Sequence, residues 1–213
     1  MARQLYGYWR SSSSYRVRIA LALKGLEYDN CPVHLVRGEQ QAPEYLARNP
    51  QGYVPCLVDG AHTLTQSLAI IDYLDRQYPT PRLIPDAPGP RASVLAFAQL
   101  IASDIQPLQN VSVLKHVVTQ YHQDESAKAD WARHWMGKGF AALEAMLSSR
   151  PDAPCCFGAE PTLADVVLVP QMYNAERFAL DLGSFPNLVR VAEYCRGLEA
   201  FAAAHPDCQP DAQ

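Results

Sequence analysis

Four consecutive serines, Ser11 to Ser14, stand near the start of the sequence between an aromatic run and a stretch with helical character. Three arginines surround the run, namely Arg10, Arg16 and Arg18. The run falls at a predicted turn from a first strand into a helix, which is the end of the strand where open α/β sheets bind ligands. The free N–H groups and the dipole of a helix N-terminus favour an anion, and hydroxyls there can donate hydrogen bonds to it. We expect Ser13 or Ser14 to cap the helix, but four hydroxyls exceed what a cap requires.

A thiolate is one anion that suits this position, because a helix N-terminus and nearby cations lower thiol pKa values. The run contains no cysteine, so the sulfur would have to come from a bound cofactor. Val54-Pro55 is predicted to form a cis-proline turn before a third strand, where a peptide backbone can pair with the chain. Gln66-Ser67 opens the next helix and suits a carboxylate, although Ser67 could equally be a plain helix cap. With Gln40 or Gln41 in a nearby loop, these residues describe a site for a small peptide with a thiol and two terminal carboxylates, and glutathione fits that description.

The elements that position these residues alternate in the first part of the chain. Strands are predicted at 4–8, 28–36, 54–60 and 62–66, and helices at 14–24, 42–47 and 67–78. Gly25 is expected to end the first helix, and Asp59-Gly60-Ala61 to join the last two strands in a hairpin. The order β-α-β followed by β-β-α predicts a small thioredoxin-like sheet with helices packed on it.

The second part of the chain is predicted to be helical. Residues 79–90 contain five prolines, which exclude helix interior and central strand, and we interpret them as part of a linker. The predicted organisation is a thioredoxin-like domain at 1–82, a proline-rich linker at 83–90 and an all-helical domain at 91–213. Helices are predicted at 90–122, 127–149, 163–178 and 187–203. Thr162 and Asp165 form a variant capping box at the start of the third of these helices.

Composition restricts the function further. The chain has 213 residues, 48% of them hydrophobic, so it can bury a substantial core, and its net charge of −4 argues against a nucleic-acid partner. Neither an apolar leader nor a stretch of membrane-spanning length is present, which predicts a cytoplasmic protein without a membrane partner. The six cysteines are irregularly spaced and are expected to be reduced, and the six histidines show no metal-ligand spacing, so we predict no metal site.

Five stretches together resemble the zeta class of glutathione transferases, the maleylacetoacetate isomerases. In order, and over roughly residues 5–207, they are RSSSSYRVRIALALKG, NPQGYVPCLVDG, QSLAIIDYLDRQYP, IQPLQNVSVLKH and LADVVLVPQMYNAERF. The resemblance implies the glutathione transferase fold, glutathione as cofactor and a homodimer. It also implies a cis–trans isomerase that converts maleylacetoacetate to fumarylacetoacetate in tyrosine and phenylalanine degradation.

The same resemblance implies roles for individual residues. Ser12 is the hydroxyl expected to stabilise the thiolate, and the residues implied to be catalytic are Ser11, Ser12, Ser13, Arg10 and Arg177. The residues implied to bind glutathione are Ser11, Ser12, Ser13, Ser14, Tyr15, Arg16, Gln40, Val54, Gln66, Ser67, Gln106, Asn110, Val111 and Ser112. The family usually has a cysteine where this chain has Ser13, so a catalytic protein thiol is excluded at that position.

Other functions remain open at this point. Maleylpyruvate, the substrate of a related isomerase in gentisate degradation, shares the enedione and differs in tail length. A general glutathione-conjugating or dehalogenating transferase and a non-catalytic interaction module are further alternatives, whereas a glutaredoxin lacks support without an active-site cysteine. Only an isomerase of these dicarboxylates needs two cations at opposite ends of its pocket, which we assign to Arg10 and Arg177. Without the resemblance, Arg177 would be interpreted as a solvated helix arginine paired with Asp181.

Overall fold

The protein is described by a computed structural model that covers residues 3–150 and 152–213. These residues divide into two compact units: a sheet unit, which extends to residue 83 and also includes 197–213, and a helical unit, 84–196. The division differs from the predicted one mainly in the last segment, which had been assigned to the helical domain.

The sheet unit has the predicted β-α-β and β-β-α order. Its elements before residue 84 are β1 (Gln4–Gly7), α1 (Ser12–Leu23), β2 (Asp29–Pro32), α2 (Pro43–Leu46), β3 (Cys56–Asp59), β4 (His62–Thr65) and α3 (Ser67–Gln77). Within the described residues the strand order is β2-β1-β3-β4, with β1 parallel to β2 and antiparallel to β3. Asp59 pairs with His62 across the predicted hairpin, whose turn Gly60 has a φ of 60°. The thioredoxin-like arrangement is therefore confirmed.

Helix α1 lies in the interior of the sheet unit, as its sequence predicts. Its apolar residues Val17, Ile19, Ala20 and Leu21 are completely buried, whereas Ala22 and Leu23 at its end are half-buried. The helix ends before Gly25, which has the left-handed φ of 63° that favours glycine. It begins two residues earlier than predicted, because Ser11 and not Ser13 or Ser14 is the N-cap. The Ser11 side chain accepts a hydrogen bond from the Ser14 backbone N–H at 3.2 Å.

The segment 197–213, which contains α9 (Glu199–Ala203), packs in the sheet unit. The buried Arg18 guanidinium donates from Nε to the Ala204 carbonyl at 3.0 Å. Asp211 accepts a hydrogen bond from the Trp9 backbone N–H, also at 3.0 Å. These bonds fix the segment beside the turn between β1 and α1, and sequence periodicity gives no indication of them.

The helical unit contains more interruptions than predicted. Its α-helices are α4 (Pro88–Gln99), α5 (Val111–Gln120), α6 (Glu125–Leu147), α7 (Leu163–Arg177) and α8 (Pro186–Arg196). The predicted single helix at 90–122 is broken by a π-helical turn over Leu100–Ile105 and a 3₁₀ turn over Gln106–Gln109. Pro107 cannot donate a backbone hydrogen bond, and Asn110 caps α5 by accepting one from Val113 N–H at 2.9 Å. The predicted helix at 187–203 likewise divides into α8 and α9.

The capping box at the start of α7 is present as predicted. The buried Asp165 carboxylate accepts hydrogen bonds from the Thr162 backbone N–H at 2.7 Å and from the Thr162 hydroxyl at 2.9 Å. Burial raises the pKa of Asp165, and these donors act in the opposite direction. Among the helices of the described residues, none combines the length and the apolar character that crossing a membrane requires.

Candidate functional site

The four serines have different roles at the turn between β1 and α1. Ser11 caps the helix, and the Ser14 hydroxyl oxygen accepts a hydrogen bond from Tyr8 N–H at 3.4 Å. A Cβ on Gly7 would lie 3.1 Å from that oxygen, which explains the glycine at this position. Within the described part of the chain, the hydroxyls of Ser12 and Ser13 form no hydrogen bond. They are therefore the two serine side chains of the run whose hydroxyls are not committed to the fold.

The positive ends of α1 and α3 carry no acidic side chain in their first turns, a property that they share with α4, α5 and α8. Helices α6 and α7 have Glu125 and Asp165 there, which offset the helix dipole. The serine turn is thus an electropositive position with free hydroxyls. Arg10 adds a cation beside it: its guanidinium lies 5.3 Å from the Trp9 ring, and among the described residues no carboxylate forms a salt bridge with it.

Tyr15 and Arg16 lie beneath the serine turn and not on its surface, since each is only 1% exposed. The Tyr15 hydroxyl donates to the Phe201 carbonyl at 3.4 Å, which is a structural contact within the sheet unit. The Arg16 guanidinium is directed toward α3, where Nη1 donates to Ser67 Oγ at 3.2 Å. The role of Tyr15 and Arg16 in the glutathione site stays a prediction, and their side chains lie in the interior of the sheet unit.

The predicted cis-proline turn is confirmed, because the Val54-Pro55 bond is cis. The backbone that leads into it is held from α2 and the following loop. The Tyr45 hydroxyl and the Asn49 side-chain amide both donate to the Tyr53 carbonyl, the latter at 2.7 Å. The sequence stretch NPQGYVP therefore forms a fixed approach to Val54, whose side chain packs against the buried cluster of Val33, Tyr45 and Cys56.

The loop that contains Gln40 and Gln41 packs against this same stretch. Gly52 has a φ of 65°, and a Cβ there would lie 2.5 Å from Gln41 Nε2 and 3.2 Å from the Gln40 carbonyl oxygen. Only glycine fits this close approach without displacing the loop. Gln40 Oε1 is buried and lacks a hydrogen-bond partner among the described residues.

Gln66 and Ser67 stand at the start of α3. Ser67 was expected as a possible cap, but Gln66 occupies the N-cap position and Ser67 is the first helical residue. Gln66 has a φ of 68° and ψ of 115°, an unfavourable conformation for a residue with a side chain, and such conformations concentrate at functional sites. Its Nε2 donates to Gln51 Oε1 at 2.7 Å. Sequence reasoning missed Gln51, although it lies inside the motif that identified Val54.

The residues implied from the helical part of the chain lie at the start of α5. Asn110 Oδ1 caps that helix and also accepts a hydrogen bond from the Ser112 hydroxyl at 2.7 Å. Val111 is 62% exposed although it is apolar. Gln106 is half-buried in the preceding 3₁₀ turn. Capping thus accounts for Asn110 and Ser112 without a ligand.

Arg177 is an exposed residue at the end of α7. Its Nη1 donates to Asn174 Oδ1 at 3.4 Å, and its guanidinium lies 5.8 Å from the Tyr173 ring. Asp181, the alternative partner suggested by spacing, accepts a hydrogen bond from Gly183 N–H at 2.9 Å.

Two further features of the helical unit lie apart from the predicted site residues. The ligand atoms of Cys155, Asp165 and Cys195 lie within 4.8 Å of one another, a convergence that sequence spacing did not predict. Burial raises the pKa of the Cys156 thiol, and hydrogen bonding to Cys155 together with burial raises that of Cys195. The Asp165 oxygens of this cluster accept hydrogen bonds from the Cys156 and Thr162 backbone N–H groups, so the fold already gives this buried carboxylate its partners.

A cavity of about 490 Å³ follows the π-helical turn of the helical unit. It lies between the segment from Leu100 to Leu108 and the part of α6 around Trp135 and Lys138. Gly139 permits the close approach of these segments, because a Cβ there would lie 2.4 Å from the Ile105 side chain.

Comparisons with known proteins agree with this architecture. Residues 1–76 match the family model "Glutathione S-transferase, N-terminal domain". The chain is 50% identical to the maleylacetoacetate isomerase of Pseudomonas aeruginosa over 98% of each chain. It also resembles a zeta-class bacterial maleylpyruvate isomerase, with a TM-score of 0.96, 42% identity and coverage of 99% and 100%. The maleylacetoacetate isomerase of Anaeromyxobacter dehalogenans, solved with glutathione in its active site, matches with a TM-score of 0.89, 44% identity and coverage of 100% and 98%.

Proposed function

Because the chain belongs to the family of zeta-class glutathione transferases and maleylacetoacetate isomerases, we propose that it is a glutathione-dependent cis–trans isomerase. Its proposed reaction converts maleylacetoacetate to fumarylacetoacetate, a step in the degradation of tyrosine and phenylalanine. The observation that carries the proposal is the pair of uncommitted hydroxyls, Ser12 and Ser13, at a helix N-terminus that contains no first-turn acid.

Three features of the sheet unit fit glutathione. The hydroxyls and backbone amides at the start of α1 suit a thiolate. The backbone at Val54 suits the peptide. The side-chain amide oxygen of Gln40, Oε1, is buried and has no hydrogen-bond partner among the described residues. The start of α3, at Gln66 and Ser67, suits the γ-glutamyl carboxylate, because its dipole is not offset by an acid.

The chemistry that glutathione supplies when bound is a thiolate that adds reversibly to the electron-poor double bond, which permits rotation before elimination. The residues of the chain have two tasks. Ser12 and Ser13 stabilise the negative charge on the sulfur by donating hydrogen bonds, which favours the ionised thiol at neutral pH. Arg10 and Arg177 are proposed to bind the two carboxylates of the substrate, for which a planar guanidinium offers two parallel donors.

Maleylpyruvate isomerisation is the second candidate function, favoured by the similarity to the maleylpyruvate isomerase. Both substrates carry the same cis enedione between carboxylates, so the serine turn would act on either one. A general conjugating transferase would use the same thiolate but would not need the two arginines.

The test is to add maleylacetoacetate or maleylpyruvate to the purified protein, with and without glutathione, and to follow loss of the cis isomer. We expect turnover that depends on glutathione and does not consume it. The ratio of kcat/KM for the two substrates decides between the isomerase functions. Absence of glutathione-dependent turnover with both substrates would contradict the proposal.

The arginines separate an isomerase from a general transferase. Arg10→Ala and Arg177→Ala should each reduce turnover of the dicarboxylate about tenfold or more, since a charged hydrogen bond contributes roughly 1.5–3 kcal/mol. Conjugation of a neutral electrophile, measured on the same preparations at saturating glutathione, should change far less. Lysine at either position should restore only part of the activity. Equal losses on both substrates would assign these arginines to the fold or to glutathione.

The assembly and location follow as parts of the same proposal. The family resemblance supports a homodimer, which light scattering of the purified protein would test through its molar mass. All six cysteines are free thiols, and this supports action in a reducing compartment such as the cytoplasm.

A further inference from the structure

Arg16 is a buried cation that the fold leaves incompletely satisfied. Its side chain is 1% exposed, and its single hydrogen bond among the described residues runs from Nη1 to Ser67 Oγ at 3.2 Å. Nε and Nη2 are buried and have no acceptor in the described part of the chain. Burial lowers the pKa of Arg16 to about 10, so the guanidinium remains charged at neutral pH.

The other buried cations of the sheet unit are satisfied. Lys24 forms a salt bridge with Asp75 at 2.9 Å and also donates to two backbone carbonyls. Arg18 donates to the carbonyls of Ala204 and Trp9 at 3.0 and 2.9 Å. A buried charge without a countercharge is strongly unfavourable, and Arg16 forms no salt bridge with a carboxylate of the described residues. A bound anion would supply the compensating negative charge.

The contact with Ser67 indicates where such a charge would bind. Ser67 is the first residue of α3, whose free N–H groups and uncompensated dipole already favour an anion. Because its oxygen accepts the hydrogen bond from Arg16, the Ser67 hydroxyl hydrogen is directed away from the guanidinium and can be donated to a ligand. Arg16, Ser67 and the helix N-terminus therefore all favour a negatively charged ligand at this position.

We infer that Arg16 is a positioning residue for the free α-carboxylate of the γ-glutamyl group of glutathione, acting through Ser67. The inference rests on the proposed function, because it assumes that glutathione is the ligand at α3. Arg16 does not touch the ligand. It orients the Ser67 hydroxyl as a donor and supplies the countercharge, and the bound carboxylate in turn offsets the buried cation.

The test compares two ligands on three variants by isothermal titration calorimetry. The ligands are glutathione and γ-aminobutyryl-cysteinyl-glycine, which lacks only the α-carboxylate. The wild-type protein should prefer glutathione. Arg16→Gln should weaken glutathione binding about 10- to 100-fold and change binding of the shortened peptide less than about threefold, as expected for loss of a charge-assisted interaction. Arg16→Lys should recover part of the preference, and Ser67→Ala should lose it even if Arg16→Gln fails to fold.

Arg18→Gln is the matched control, because it removes a buried guanidinium from the same helix, one that donates to backbone carbonyls. It should lower the melting temperature and leave the ratio of the two affinities unchanged. Arg16→Gln without ligand should melt at the wild-type temperature or above it, because it removes an uncompensated charge.

Several results would overturn the inference. Arg16→Gln could weaken both ligands equally or destabilise the free protein as much as Arg18→Gln does, and either result would make Arg16 a structural residue. If Ser67→Ala kept the full preference for glutathione over the shortened peptide, Arg16 would not act through Ser67. Failure of the wild-type protein to bind glutathione would overturn the proposed function as well, whereas the results above overturn the role of Arg16 alone.

Discussion

Replacing Ser12 by alanine tests the serine turn directly, because this hydroxyl serves no hydrogen bond within the described fold. Ser11 and Ser14, on either side, are committed to Ser14 N–H and Tyr8 N–H. Ser12→Ala should therefore leave the free energy of unfolding nearly unchanged, within about 0.5 kcal/mol. Its effect should fall on the bound sulfur.

The magnitude follows from the kind of bond that is lost. A hydrogen bond to a charged group contributes roughly 1.5–3 kcal/mol, which corresponds to a rise of about one to two in the pKa of the bound thiol. If the donor also stabilises charge that develops during the reaction, turnover should fall about 10²–10³-fold. The acidic limb of the pH–rate profile should move to higher pH in the same variant.

The assay pairs ultraviolet titration of the bound thiolate with isomerase kinetics at saturating glutathione. Ser14→Ala is the comparison, since it removes a hydroxyl that a buried backbone N–H needs and should cost about 1–3 kcal/mol of stability. An unchanged thiol pKa and unchanged turnover in Ser12→Ala would refute the reasoning. The role would then pass to Ser13, to Ser11 or to the amides of the first turn.

The remaining predictions concern stability. Thr162→Ala removes a hydroxyl donor from the Asp165 carboxylate and so raises the pKa of that buried acid further. The variant should lose about 1 kcal/mol of the free energy of unfolding near pH 7. This loss should shrink as the pH falls through the raised pKa, because the protonated acid needs the donor less. A loss that does not depend on pH in denaturant unfolding would contradict this prediction. Lys24→Met removes the buried salt bridge to Asp75 at 2.9 Å and leaves that carboxylate with the Arg82 ion pair at 3.8 Å and the Leu83 N–H bond at 2.7 Å. It should cost about 3 kcal/mol, whereas removal of the exposed Arg76 should cost less than about 0.5. Equal melting temperatures for these two variants would show that Arg82 and the Leu83 N–H suffice to compensate Asp75.

Local sequence signals predicted those parts of the fold that local interactions determine. The Asp59-Gly60 turn fixed the hairpin, Gly25 ended α1, and Thr162 with Asp165 marked the start of α7. The break after α4 was missed because hydrophobic periodicity continues across residues 100–110, even though Pro107 was a visible signal.

The candidate site was predictable in position but not in detail. The serine run indicated the helix N-terminus, yet only the three-dimensional turn shows that Ser11 and Ser14 are engaged and that Ser12 and Ser13 are not. The contact between Arg16 and Ser67 joins residues 51 positions apart, and no spacing rule anticipates it.

The grouping of residues 197–213 with the sheet unit has a consequence for biosynthesis. The serine turn is braced by Asp211, which the ribosome adds only after the entire helical unit. The nascent sheet unit therefore remains incomplete while the helical unit emerges. During that time Arg18 of α1 lacks its later hydrogen-bond acceptor, the Ala204 carbonyl. A fragment ending near residue 83 should consequently aggregate or bind chaperones, and a peptide spanning 197–213 supplied in trans should rescue its solubility.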